Sequence, residues 1–171
     1  SADRASRRPA CRKAARHPNA RTQEGRNWTK LAVYRGAIAV NKLGRRYVDE
    51  SKSYKLLGDA VLAQPDGIAY QIFDQGIMDK AVDGVPPFDF QSALRLGRLF
   101  QAETLAALEG KIGIDPAALA ATVRRYNDSV AKGVDEDFGR DGLSTHYGKL
   151  VTIETAPFYA YPSTSGIIAT Y

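Results

Sequence analysis

The chain has 171 residues, 44% of them hydrophobic and 25% charged, enough to bury the core of one domain or at most two small ones. Its net charge of +5 is local: residues 1–30 hold nine Lys/Arg against two Asp/Glu, whereas the remaining 141 residues hold 15 basic and 17 acidic groups, so the body does not read as a nucleic-acid binder. The single cysteine, Cys11, excludes an internal disulfide framework and a cysteine metal cluster; no run reaches the roughly 18–20 apolar residues of a membrane span, and no apolar stretch follows the basic N-terminus as a signal peptide requires, so a soluble, cytoplasmic protein is expected.

Residues 1–27 are rich in Arg, Ala, Pro and Asn without a clean period and read as irregular. A basic run of this kind is either a solvated terminus or a binder of an acidic partner. "AIAV" (37–40) and "RRYV" (45–48) flank "NKLG", which predicts a hairpin. "SKSYKLLGDAVLAQ" (51–64) is ambiguous, a loop that becomes a helix stopping before Pro65. "PDG" (65–67) predicts a turn, and the alternating, β-branched and aromatic "IAYQIFD" (68–74) a strand.

"GVPP" (84–87) breaks the chain, "DFQSALRLG" (89–97) predicts a short helix ended by Gly97, and "RLFQA" (98–102) a brief strand. "ETLAALEGKIG" (103–113) predicts a helix capped by Thr104 and closed by Gly113. The clearest helix is "DPAALAATVRRYNDSVAKG" (115–133), with Asp115 as N-cap, Pro116 in the first turn and Gly133 at the end; Leu119, Val123, Tyr126 and Val130 share a stripe. Residues 133–148 form a long, acidic, glycine-rich loop. "GVDEDFGRDG" lacks the phasing and terminal Glu of a calcium loop, so it reads as solvated. The last stretch, "KLVTIETAPFYAYPSTSGIIATY", is extended and stops on an apolar run, which reads as an interruption within a longer fold. The elements together predict an α+β domain.

No G-x-G-x-x-G, G-x-x-x-x-G-K-[ST] or G-x-S-x-G occurs, and the two histidines, His17 and His146, have no metal spacing. Four segments nevertheless stand in a specific order: "GAIAVNKLGRRYVDE" (36–50), "GDAVLAQ" with "AYQIFD" (58–74), "FQAETLAALEGKIGIDPAALAATVRRYNDSVAKGVDEDFGR" (100–140) and "PFYAYPSTSGIIATY" (157–171). Together they resemble the FAD-dependent family of fumarate reductase, succinate dehydrogenase and the 3-ketosteroid dehydrogenases, whose hairpin reads G-ali-x-VN-x-x-G-x-R-F-x-x-E.

The resemblance covers about residues 28–171. It implies the α+β capping domain of a flavoprotein, with hairpin strands, two or three cap helices and an extended strand returning to the FAD domain. The divisions it implies are a basic segment at 1–27, a substrate-capping region at 28–157 and the returning strand at 158–171. The cofactor implied is FAD, held mostly by segments absent from this chain, so that the fragment alone is expected to be inactive. The partners implied are a small-molecule substrate and the rest of the flavoprotein. The function implied is to help position substrate for hydride transfer at a C–C bond next to a carbonyl or acid group.

In fumarate-reducing members an Arg after the hairpin Glu delivers a proton; equal spacing from Glu50 puts Tyr54 at that position. The family's His pair before a Gly-Gly falls on Ile168 and Ala169, and its upstream His-Pro on His17 and Pro18. The catalytic candidates are thus Tyr54 and His17, with Thr170 and Tyr171 as residues near the flavin. A tyrosine hydroxyl suits a carbonyl or enolate, and the substitutions argue against fumarate as substrate. Beside these stand plainer readings: Tyr54 as a packing residue with a wet hydroxyl, His17 as a lone histidine in a basic segment, Tyr126 and Asn127 as packing and helix-end residues, and Arg45, Arg46 and Glu50 as a charged hairpin face with a weak local ion pair. A different class remains open, a non-enzymatic α+β module that uses the basic tail to bind an acidic partner.

Overall fold

The structure, a computed structural model, describes residues 30–115, 117–144 and 148–164. Its centre is a four-stranded sheet in the order β1-β2-β4-β3, with β1 at Ile38–Asn41, β2 at Ile68–Asp74, β3 at Phe100–Ala102 and β4 at Phe158–Thr164. Each neighbouring pair is antiparallel. Ile38 lies opposite Ile72, Ile72 opposite Ala160, and Ala160 opposite Phe100, so one row of apolar residues crosses the whole sheet. From Gln71 to Asp74 every residue of β2 is buried, which requires cover on both faces.

That cover comes from helices. On one face Phe73 stacks on Tyr159 at 5.3 Å and meets Phe90 of α3 (Phe90–Arg95) at 5.6 Å. On the other, the Tyr70 hydroxyl donates to the Ile112 carbonyl at the end of α4 (Leu105–Ile112). The remaining helices are α1 (Tyr54–Leu62), the short α2 (Gln75–Met78) and α5 (Ala118–Lys132). Asp74 caps α2 by accepting from Ile77 N, and its other oxygen accepts from Glu154 N and Thr155 N. The same carboxylate therefore starts a helix and docks the segment leading into β4.

The strand at 68–74 and the helix closed by Gly113 form as their sequence predicts, the strand expected at 98–102 forms over 100–102, and Thr104 caps α4 by accepting from Ala107 N at 3.1 Å. Two expectations change. The second strand of the hairpin is reduced to one bridge, Val40 with Arg46, and β1 takes β2 as its partner. The turn itself is tight: the Asn41 side chain accepts from Leu43 N and Arg45 N. Gly44 has φ +74, and a Cβ there would lie 2.8 Å from Ile114 Cγ2 and 3.1 Å from Leu119 N, so only glycine lets α5 approach.

The second change is at the start of α5. Asp115 does not cap it; the helix begins at Ala118 with Ala117 as N-cap in a left-handed conformation. The first-turn amides are met from α4: the Glu109 carboxylate, 3% exposed, accepts from Ala117 N and Ala120 N at 3.0 Å each. The expected stripe is present, with Leu119, Val123 and Tyr126 buried and Val130 partly so.

Candidate functional site

Residues 49–53 connect the reduced hairpin to α1 and end at Tyr54, the first residue of that helix. Asp49 organises the near end: its Oδ1 accepts from Ser51 N at 2.9 Å and Ser51 Oγ at 2.6 Å, and Lys52 Nζ lies 3.3 Å from Oδ2. Burial alone would raise the Asp49 carboxyl, but these bonds and the Lys52 charge hold it below the ordinary range. The Tyr34 hydroxyl donates to the Lys52 carbonyl at 3.1 Å, and Leu57 N to the Ser53 carbonyl at 3.0 Å as the helix begins.

Between these ties, Glu50 is wholly buried. Its Oε1 accepts from Ala39 N at 3.0 Å and Arg46 Nε at 2.9 Å; its Oε2 accepts from Arg46 at 2.7 Å and from Arg140 at 3.3 Å. The second face of Arg46 forks onto Asp135, with both bonds at 2.9 Å. Arg140 goes on to donate to the Ala37 carbonyl at 3.1 Å and the Val33 carbonyl at 2.8 Å. Two arginines and two carboxylates, their side chains no more than 3% exposed, thus form a charge-balanced cluster. Arg46 also lies 5.3 Å from the ring centroid of Tyr126 and 5.1 Å from that of Phe138.

The electrostatics follow from burial and pairing. Burial opposes the Arg46 charge, but hydrogen bonds to Glu50 and Asp135 outweigh it and raise its pKa, so it stays charged. Burial would raise the Asp135 carboxyl, but the Arg46 hydrogen bonds and charge, with the amides of Arg140 and Asp137, hold it below the usual carboxylate range. The Tyr126 hydroxyl, which donates to the Val151 carbonyl, is pushed up to about 12, chiefly by burial. Asn127 pairs its amide with both backbone groups of Ile153. Tyr126 and Asn127 therefore dock residues 151–153 from the middle of α5.

These positions correct two expectations. Arg46 and Glu50 are not an exposed hairpin face; only Arg45 is exposed there. The acidic loop is not uniformly solvated, because Asp135 and Arg140 point inward and Asp137 takes Arg125 through three bonds of 2.6–2.9 Å. Sequence reasoning missed Asp135 and Arg140 as partners of the hairpin. The only signal was a lone arginine after three carboxylates in "DEDFGR", and nothing in it names the charge-balanced "RRYVDE" as its partner.

Tyr54 is 58% exposed, and its hydroxyl makes no hydrogen bond to another described residue. It belongs to a helix that buries only Leu57 and Val61, while Leu56 and Leu62 stay 52% and 58% exposed. A shallow cleft of about 270 Å³ on the outer side of the cluster is lined by Arg45, Arg46, Thr122, Arg125, Asp137 and Phe138, and Tyr54 is not part of it. β4 ends at Thr164 opposite Ile68, beside the turn that follows α1. His17, Thr170 and Tyr171 lie outside the described residues, as do Pro18, Ile168 and Ala169. Among the described residues no group of three or more His, Cys, Asp or Glu is placed to hold a metal, and no helix is long and apolar enough to cross a membrane.

The described residues form an α+β fold, an antiparallel sheet with helices on both faces and a clamped loop before an exposed helix. It overlays on 77% of this chain, at TM-score 0.65 and 32% identity, with a flavocytochrome c3 fumarate reductase in an open conformation, covering 22% of that protein. Residues 11–167 match the FAD binding domain family, and the chain belongs to it. It is similar to a fumarate reductase (cytochrome) of Shewanella frigidimarina, 34% identical over 82% of this chain and 24% of the relative. It is also similar to a 3-oxosteroid 1-dehydrogenase of Mycobacterium tuberculosis, 32% identical over 72% of this chain and 25% of the relative. The chain thus spans about a quarter of the length of these relatives.

FAD is the cofactor of the family. The described residues do not fit its pyrophosphate: their strands are all antiparallel, which leaves no crevice at the carboxyl ends of parallel strands, and no glycine-rich strand-to-helix turn occurs among them.

Proposed function

We propose that this chain is the substrate-capping part of a longer FAD-dependent oxidoreductase, and that its segment 50–54 presents Tyr54 to the substrate. The observation that carries the reading is the contrast at that segment. It is tied through the side chains of Asp49 and Glu50 and the carbonyl of Lys52, yet the tyrosine it delivers is exposed with an uncommitted hydroxyl. A hydroxyl held that way can donate a hydrogen bond to a substrate carbonyl or hold a proton for an enolate. The exposed Leu56 and Leu62 of α1 supply apolar surface for the rest of the flavoprotein to cover.

The reaction class is hydride exchange between flavin and a C–C bond next to a carbonyl or acid group, in a cytoplasmic enzyme acting on a small molecule. FAD would be held mainly outside the described residues, and this chain alone would be inactive. With tyrosine at the Tyr54 position, a carbonyl compound is the favoured substrate over fumarate. His17 is kept as a second candidate acid, and Thr170 and Tyr171 as residues beside the flavin.

The test is turnover by the flavoenzyme that contains this chain, with 3-ketosteroids and unsaturated acids as separate substrates and flavin absorbance as the readout. Substrate-dependent reduction or reoxidation of the flavin is expected, faster with the ketosteroids. A flavin that no substrate of either class reduces or reoxidises overturns the reading and favours a binding module using the basic tail.

A further inference from the structure

We infer that Arg140 is a positioning residue: its buried guanidinium fixes the segment that delivers Tyr54, although it lies outside that segment in sequence. The inference rests on the reading of Tyr54 above. The geometry has two arms. In one, Arg140 Nη1 donates to Glu50 Oε2 at 3.3 Å, four residues before Tyr54. In the other, Arg140 Nη2 donates to the Val33 carbonyl at 2.8 Å, and the adjacent Tyr34 donates from its hydroxyl to the Lys52 carbonyl. A third bond, from Nη1 to the Ala37 carbonyl, ties the same guanidinium to the residue preceding β1. One side chain therefore braces the segment at Glu50 directly and at Lys52 through the 32–35 turn.

The burial of charge supports a geometric role. A buried ion cluster contributes little stability over an apolar packing of the same volume, whereas its directional bonds select one arrangement. Only a planar fork reaches all three oxygens here; a lysine keeps the charge and loses the fork. Asp135 completes the arrangement, holding Arg46 with both oxygens while its Oδ2 accepts from Arg140 N. The loop at 133–140 thereby becomes part of the scaffold of the Tyr54 segment.

The experiment uses the flavoenzyme with Arg140→Lys, Tyr54→Phe and the double variant, followed by hydrogen exchange and by kinetics. In Arg140→Lys the amides of residues 51–57 are expected to exchange at least about tenfold faster, with those of β2 unchanged. Unchanged exchange at 51–57, or a uniform rise that includes β2, overturns the inference whatever Tyr54 does. In kinetics, kcat is expected to fall about tenfold in Arg140→Lys with KM within about twofold, and the double variant to be no slower than Tyr54→Phe alone, because both act through one hydroxyl. Additive losses in the double variant overturn the positioning role while leaving Tyr54 in place. A Tyr54→Phe enzyme at the parent rate overturns the Tyr54 reading, and the exchange measurement then decides the Arg140 inference by itself. If Arg140→Lys does not fold, Tyr34→Phe, which removes the hydroxyl that donates to the Lys52 carbonyl, is expected to speed exchange at 51–57 in the same way, and unchanged exchange there overturns the inference.

Discussion

Glu50 shows how one residue can be written off from sequence and prove central in space. Its carboxylate receives four N–H groups, one from β1 and three from two arginines. Removing it leaves Arg46 and Arg140 with Asp135 as the only carboxylate of the cluster. Glu50→Ala is expected to cost roughly 3–5 kcal/mol, the range for breaking a buried pair on one side, read as a lower urea midpoint. Asp135 contributes to acid sensitivity, as one of several carboxyls held below their ordinary range. Because its folded pKa lies below that of the unfolded chain, the fold gains stability above the ordinary Asp value of about 3.9 and loses it as pH falls through the folded value. Stability measured by denaturant melts should therefore drop below about pH 4, and Asp135→Asn should flatten that drop while lowering stability at neutral pH.

At the scale of elements, the helix junction between α4 and α5 depends on a carboxylate one helix lends to the next. Glu109→Ala removes the acceptor of Ala117 N and Ala120 N and is expected to cost about 1 kcal/mol, as for lost N-caps, with faster amide exchange at 117–120 as the local readout. Gly44→Ala forces a Cβ into the left-handed region against Leu119 N and Ile114. A loss of at least roughly 1–2 kcal/mol is expected from the backbone alone. Elements whose own residues carry the signal were legible in sequence: the alternation of 68–74, the Thr104 cap, and the stripe Leu119, Val123, Tyr126 on α5. What sequence could not carry was pairing. Nothing in "RRYVDE" says that its partner is Arg140, about ninety residues on, and nothing local tells Asp115 that Glu109 will take its capping place. Local patterning also overstated the hairpin, because residues 46–50 turn their charges inward and leave the ladder after one bridge.

For the whole molecule, the fold and the family agree on a flavoprotein oxidoreductase domain, while the described residues build no cradle for the dinucleotide. The chain by itself is expected to show no saturable FAD binding at micromolar concentrations in a flavin-fluorescence titration; tight stoichiometric binding would mean that the cofactor contacts lie within it. The α+β class and the place of Tyr54 at a loop-to-helix junction were both legible, the latter because its spacing from Glu50 is short and local. The bonds that tie the junction were not, since they come from residues distant in sequence.

The most direct measurement is kcat for Tyr54→Phe in the flavoenzyme, with FAD content and the melting temperature held as controls. Loss of the hydroxyl is expected to lower kcat by about 10²–10⁴, the range for a positioned acid or base, with KM little changed. A kcat equal to that of the parent, at full FAD occupancy, would contradict the account.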